Sequence, residues 1–239
     1  MSLTIAERFR RLMGIAMVSG AAAGLVLFLI QMFLVVPLIR TAEMYERAET
    51  PAVGHHADGA WKPAEGLERI AHTGLGTVLT GIGFGAVLLG VASLVGFDLD
   101  VRRGILLGAA GFLCFGLAPA IGVVPRPPGV PGPDLRAAQS WWALTVVVSA
   151  IGLWLLARPG QSKRARGAGL MALAVPHLIG APAAPLASAV PHGLAWRFAA
   201  TAIATQAIFW LILGALGGWA TSRSARRGAG RPGGADDRA

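Results

Sequence analysis

The 239-residue sequence predicts an all-α membrane protein, a polytopic bundle of about six transmembrane helices, or five if the short fifth apolar segment is re-entrant. Three observations predict it. Hydrophobic residues make up 54% of the chain and charged residues only 14%, too little charged surface for a soluble domain of this size. The mean hydropathy is +0.61. The apolar residues run in long blocks instead of one-sided stripes, which separates a membrane bundle from a large soluble core. The blocks fill most of the chain, so residues 1–222 read as a single transmembrane domain. Residues 223–239, rich in Arg, Gly, Pro and Asp, read as a disordered basic cytoplasmic tail.

The first segment, Leu12 to Ile39, follows Arg8, Arg10 and Arg11 in the manner of a signal peptide. Its uncharged run corresponds to about 42 Å of helix at ~1.5 Å per residue. That exceeds both a signal h-region and a hydrocarbon core of roughly 30 Å, so it is expected to stay uncleaved and emerge from the bilayer at its far end. The second segment runs from Ile70 to Gly96, the third from Gly104 to Val124, and the fourth from Ser140 to Ala157. The fifth, Ala168 to Ala181, is short and ends in proline, and the sixth spans Phe198 to Ala220.

Charge arbitrates the fifth segment. With six crossings, 14 of the 21 basic residues, in the clusters at 8–11, 102–103, 158–166 and 223–238, fall on one side and 7 on the other. The richer side is conventionally cytoplasmic, which puts both termini of this multi-pass protein there. A non-crossing fifth segment would reverse the bias. The net charge of +9 therefore serves orientation and contact with anionic membrane lipid. Nucleic acid is not expected as a partner, because no basic patch is interleaved with stacking aromatics.

Glycine pairs four apart, Gly20 and Gly24, Gly81 and Gly85, Gly104 and Gly108, and Gly214 and Gly218, each lie on one helix face. Faces of this kind let neighbouring backbones approach closely. Trp141, Trp142 and Trp219 sit at segment ends, as interfacial tryptophans do. The lone Cys114 reads as a small packed residue. The proline-rich loop from Pro125 to Pro133 is stiff and extended, a spacer or a lid across the bundle mouth.

The outer side holds the candidate chemistry. The loop from Arg40 to Arg69 carries Glu43, Glu46, Glu49, Asp58, Glu65 and Glu68, with His55, His56 and, just beyond, His72. If helix continues past Ile39, Glu43 and Glu46 share a face. Carboxylates and imidazoles suit borderline divalent cations such as cobalt, nickel and zinc, although an ordinary wet loop has the same composition. His177 stands in Pro176-His177-Leu178-Ile179-Gly180-Ala181-Pro182 at the outer end of the fifth segment. An ionisable group at that depth faces a polar interior or a partner, and the prolines free backbone carbonyls. The plainer alternative is a neutral histidine hydrogen-bonded at the interface. His192 follows in the last outer loop.

No GxxxxGK[ST], HExxH or GxSxG is present, so the common nucleotide-hydrolysing, metalloprotease and hydrolase signatures are absent and no enzyme activity is expected. The chain is nonetheless similar to a known family over most of its length, from Phe9 to Trp219. The matching stretches are Thr41-Ala42-Glu43-Met44-Tyr45-Glu46, Trp61-Lys62-Pro63 with Gly66-Leu67-Glu68-Arg69, and Leu79-Thr80-Gly81-Ile82-Gly83-Phe84. They continue with Leu117-Ala118-Pro119, Pro128-Gly129-Val130-Pro131, Gln139-Ser140-Trp141-Trp142 and the segment around His177. In this order they resemble the CbtA family, described as a probable cobalt transporter subunit.

The resemblance implies a membrane subunit that takes up cobalt or another divalent metal ion for cobalamin synthesis. It also implies a partner of the CbtB type, a small one-helix protein with a histidine-rich end. Members are described with five helices, against the six segments read here. On this reading Glu43, Glu46, Glu68, His72, His177 and His192 are the metal-site residues on the outer face. Co2+ is the transported ion, and no resident cofactor is expected. The alternative is a non-transporting membrane scaffold or assembly partner whose polar outer loops bind another protein.

Overall fold

In the computed structural model, residues 4–49, 63–64, 66–96, 98–185 and 187–229 are described. Among them the chain forms seven α-helices and no strand: α1 Ile5–Leu34, α2 Val36–Glu49, α3 Leu67–Val95, α4 Val101–Gly122, α5 Leu135–Ala157, α6 Lys163–Ile179 and α7 His192–Ala229. The all-helical polytopic fold is as the sequence predicts. Five helices, α1, α3, α4, α5 and α7, are long and apolar enough to cross a membrane. The remaining apolar segment of the sequence reading is α6. It is a continuous helix of 17 residues, about 25 Å long and so shorter than a ~30 Å hydrocarbon core.

Helix ends follow local chemistry. At the start of α1, Thr4 and Glu7 form a capping box: the Thr4 amide donates to Glu7 Oε2 at 2.8 Å and the Glu7 amide to Thr4 Oγ1 at 3.3 Å. The long first segment breaks at Val35, beside Pro37, whose ring has no N–H and crowds the carbonyl of Phe33. The Ile39 amide still donates to Val35 O at 3.0 Å, so the chain re-enters helix at once as α2. The helix α5 begins at Leu135, five residues before the apolar segment, because the Asp134 side chain accepts from the Ala137 amide. Ser162 does the same for α6 through Ala165, which starts that helix at Lys163 instead of Ala168. The last helix outruns its apolar core at both ends and carries Arg223, Arg226 and Arg227 in helical turns as far as Ala229. Residues 230–239 of the expected tail lie outside the described residues.

Two compact units share the chain. The first comprises residues 1–26, 73–109 and 209–239. Here the glycine pairs meet two by two. A Cβ on Gly20 of α1 would lie 2.5 Å from Gly81 O of α3, and one on Gly85 would lie 2.7 Å from Ala16 O. Gly104 and Gly108 of α4 meet the backbone of Gly214 and Trp210 in α7 in the same way, and Gly218 meets Asp100. Bare backbones touch at these crossings, so helices bind through dispersion contacts that lipid cannot replace. Phe84 packs on Phe209 and Trp210 at centroid separations of 6.2 and 4.8 Å.

The second unit comprises residues 27–72 and 110–208. Its centre is an antiparallel hairpin of α5 and α6. Gly152 meets Gly169 near the connecting turn, and at the far end the Trp141 and His177 rings meet edge-on at 5.9 Å. The end of α4 carries a π-helical turn, Leu113–Leu117. Pro119 supplies no N–H to Phe115 O, and the Trp142 indole Nε1 donates to that carbonyl instead, at 3.3 Å. Trp141 Nε1 donates to Pro119 O at 3.4 Å. The two tryptophans thus anchor α5 to α4 by hydrogen bonds as well as lying at a segment end.

Candidate functional site

All six residues expected to hold metal belong to the second unit. The helix does continue past Ile39, and α2 carries Glu43 and Glu46 one turn apart. Glu43 is engaged: Arg69 Nη2, from the first turn of α3, donates to its Oε1 at 2.6 Å. This ion pair ties α2 to α3 across the loop that contains His55 and His56. Those two histidines, together with Asp58 and Glu65, lie outside the described residues.

Glu68 and His72 are a turn apart on α3. The exposed His72 ring places Nδ1 2.9 Å from Glu68 O. A carbonyl only accepts, so Nδ1 is the donor in this contact. Metal-binding imidazoles use the same device, one nitrogen donating to a carbonyl while the other faces the ion. His192 opens α7 and is exposed.

The proline-rich loop rests on these elements. At Gly129, with φ of +79°, a Cβ would lie 3.1 Å from both Glu46 Cβ and Val190 Cγ2. Ser188 Oγ donates to Gly129 O at 3.4 Å. The loop is therefore packed on α2 beside Glu46 and on the connection between α6 and α7, which is more than a spacer does.

His177 is placed differently from the other five. It is half-buried, follows the fully buried Pro176, and its Nδ1 is a buried atom with no hydrogen-bond partner. Gly180, at φ +94°, ends the helix behind it and returns its amide to Pro176 O at 3.1 Å.

The structure thus brings Glu43 to Arg69 and His72 to Glu68. Among the described residues it does not gather three His, Cys, Asp or Glu side chains into one metal-holding group. Among the described residues four buried polar ones, Ser19, Thr145, Ser149 and Thr205, escaped the sequence reading, and Thr145 and Ser149 lie together on α5. The signal was their four-residue spacing after Trp141 in an otherwise apolar run.

The second unit thus carries a Glu43–Arg69 ion pair, a His72–Glu68 contact and a histidine set into one end of a helical hairpin. The sequence model of a family described as "Probable cobalt transporter subunit (CbtA)" matches residues 9–222, nearly the whole chain. No curated protein and no solved structure matches it.

Proposed function

The chain belongs to the CbtA family of probable cobalt transporter subunits, and from that premise we propose that it passes Co2+ inward across the bacterial inner membrane to supply cobalamin synthesis. The family match over residues 9–222 carries the proposal. The ligand chemistry supports it. Carboxylates at Glu43, Glu46 and Glu68 and imidazoles at His72, His177 and His192 offer the oxygen and nitrogen donors that a borderline divalent ion accepts. On this reading the collar collects the hydrated ion from the outer face. Both termini are cytoplasmic, and a small one-helix, histidine-rich CbtB-type partner delivers or concentrates the metal. The subunit moves an ion and makes or breaks no covalent bond, so no nucleophile or general base is required.

The Glu43–Arg69 ion pair favours a second reading, a scaffold whose outer face is held rigid to bind another protein. Uptake of radioactive Co2+ into cells expressing the chain, with and without the one-helix partner, decides between them. Transport requires uptake above the empty-vector level that falls when His177 is replaced. Co2+ uptake at the vector level in both strains rejects it in favour of the scaffold.

A further inference from the structure

On α5, Trp141, Thr145, Ser149 and Gly152 are buried and fall within an arc of about 80°. Both ends of this stripe touch α6, and Trp141 also reaches Pro119 O of α4. Trp141 meets the His177 ring, and a Cβ on Gly152 would lie 2.9 Å from Gly169 O and 3.0 Å from Leu173 Cγ. Thr145 and Ser149 lie between these contacts, about 15 and 21 Å along the helix axis from Leu135. In a helix of 23 residues that places them around the middle of the membrane.

Their hydroxyls are unusual in this protein. Ser19, Thr77, Thr205 and Thr221 each return the hydroxyl to a carbonyl of their own helix, at 2.6 to 3.0 Å. Thr145 Oγ1 and Ser149 Oγ do not, and they are buried with no hydrogen-bond partner. The third such side-chain atom among the described residues is His177 Nδ1, at the outer end of the same hairpin. A buried polar atom left unpaired loses its hydration for nothing in return. Three of them on one seam, in a protein whose other buried helix hydroxyls, Ser19 and Thr205, are satisfied locally, point to a polar occupant of that seam. Helix packing alone gives no reason for them, since alanine and valine would fill the same space.

We propose that the seam between α5 and α6 is the path by which a partly dehydrated divalent cation leaves His177 and crosses the membrane centre. Thr145 Oγ1 and Ser149 Oγ replace waters that the ion sheds. The ligands suit conduction: neutral hydroxyl oxygens hold a cation loosely enough for it to move on, where buried carboxylates would trap it. The seam closes at its far end where Gly152 and Gly169 bring the two backbones together. The path rests on the transport reading above.

Two measurements test it. In the first, T145V and S149A, singly and together, are compared with the unaltered protein for Co2+ uptake and thermal stability. The expected result is at least a tenfold loss of initial uptake in the double variant with an unchanged or raised Tm. Uptake within twofold of the unaltered protein overturns the path while leaving the transport reading intact. The second needs no transport. In a C114A background, S149C in membranes is exposed to a small cationic methanethiosulfonate, with V147C, exposed on the face of α5 opposite the stripe, as control. Labelling of S149C that Co2+ slows, with V147C inert, is expected. An unlabelled S149C, or labelling indifferent to Co2+, overturns the path even if the protein transports nothing.

Discussion

A carboxylate–guanidinium contact on a face proposed to collect a cation has two possible meanings, and Glu43 presents both. Its side chain is 19% exposed and that of Arg69 46%, so water screens much of the Coulomb attraction. A double-mutant cycle with E43Q and R69M should give a coupling of about 0.5–1 kcal/mol that weakens with added salt. If E43Q alone abolishes Co2+ uptake while its Tm stays within a degree of the parent, the carboxylate serves the ion more than the fold. A coupling near zero means the pair holds nothing together.

Some of this was visible in the sequence. The one-turn spacing of Glu43 and Glu46 could be read directly, and the prolines around His177 marked it out. What could not be read was satisfaction. A hydroxyl in an apolar run looks the same whether it bonds to its own helix, as in Ser19, or not, as in Ser149. The neighbouring helix decides that, and a single sequence does not display it.

Glycine spacing carried the most information between helices. All four pairs singled out by their spacing lie where backbones meet, as Gly152 and Gly169 also do, because residues four apart share one helical face. Spacing did not tell which pair meets which. The partners Gly20 with Gly81 and Gly104 with Gly214 emerge only from the fold. Helix ends were read less well, since charge was taken to end a membrane helix. Yet Asp134 and Ser162 cap helices whose first turns carry Arg136, Lys163 and Arg164.

The close crossings make a graded prediction. G20A and G104A place a methyl group against backbone that cannot rotate away and should each cost about 1–3 kcal/mol. G14A and G83A meet nothing within 4 Å and should be neutral or stabilising by up to about 1 kcal/mol. Thermal unfolding in detergent separates the two sets, and equal effects across all four would mean that the glycines do not mark contacts.

At the scale of the whole molecule the open quantity is the number of crossings, and α6 decides it. By length α6 falls short, and five helices meet the requirement without it. Pairing argues the other way. From Gly169 beside Gly152 to His177 beside Trp141, α6 retraces α5 in the opposite direction. A helix that runs back along a spanning neighbour heads toward the opposite face, and a crossing needs the chain after Gly180 to complete it, since α6 measures about 25 Å. The basic residues Arg158, Lys163, Arg164 and Arg166 at the α5–α6 turn and Arg223, Arg226 and Arg227 on α7 fall on one side only if α6 crosses. Single cysteines in a C114A background expose the difference to a membrane-impermeant maleimide. A187C should react in intact cells, while Q161C and A225C should react only after permeabilisation. Were Q161C and A187C to react from the same side, α6 would not cross, the termini would lie on opposite faces, and His177 would lose its position at the outer mouth of the hairpin.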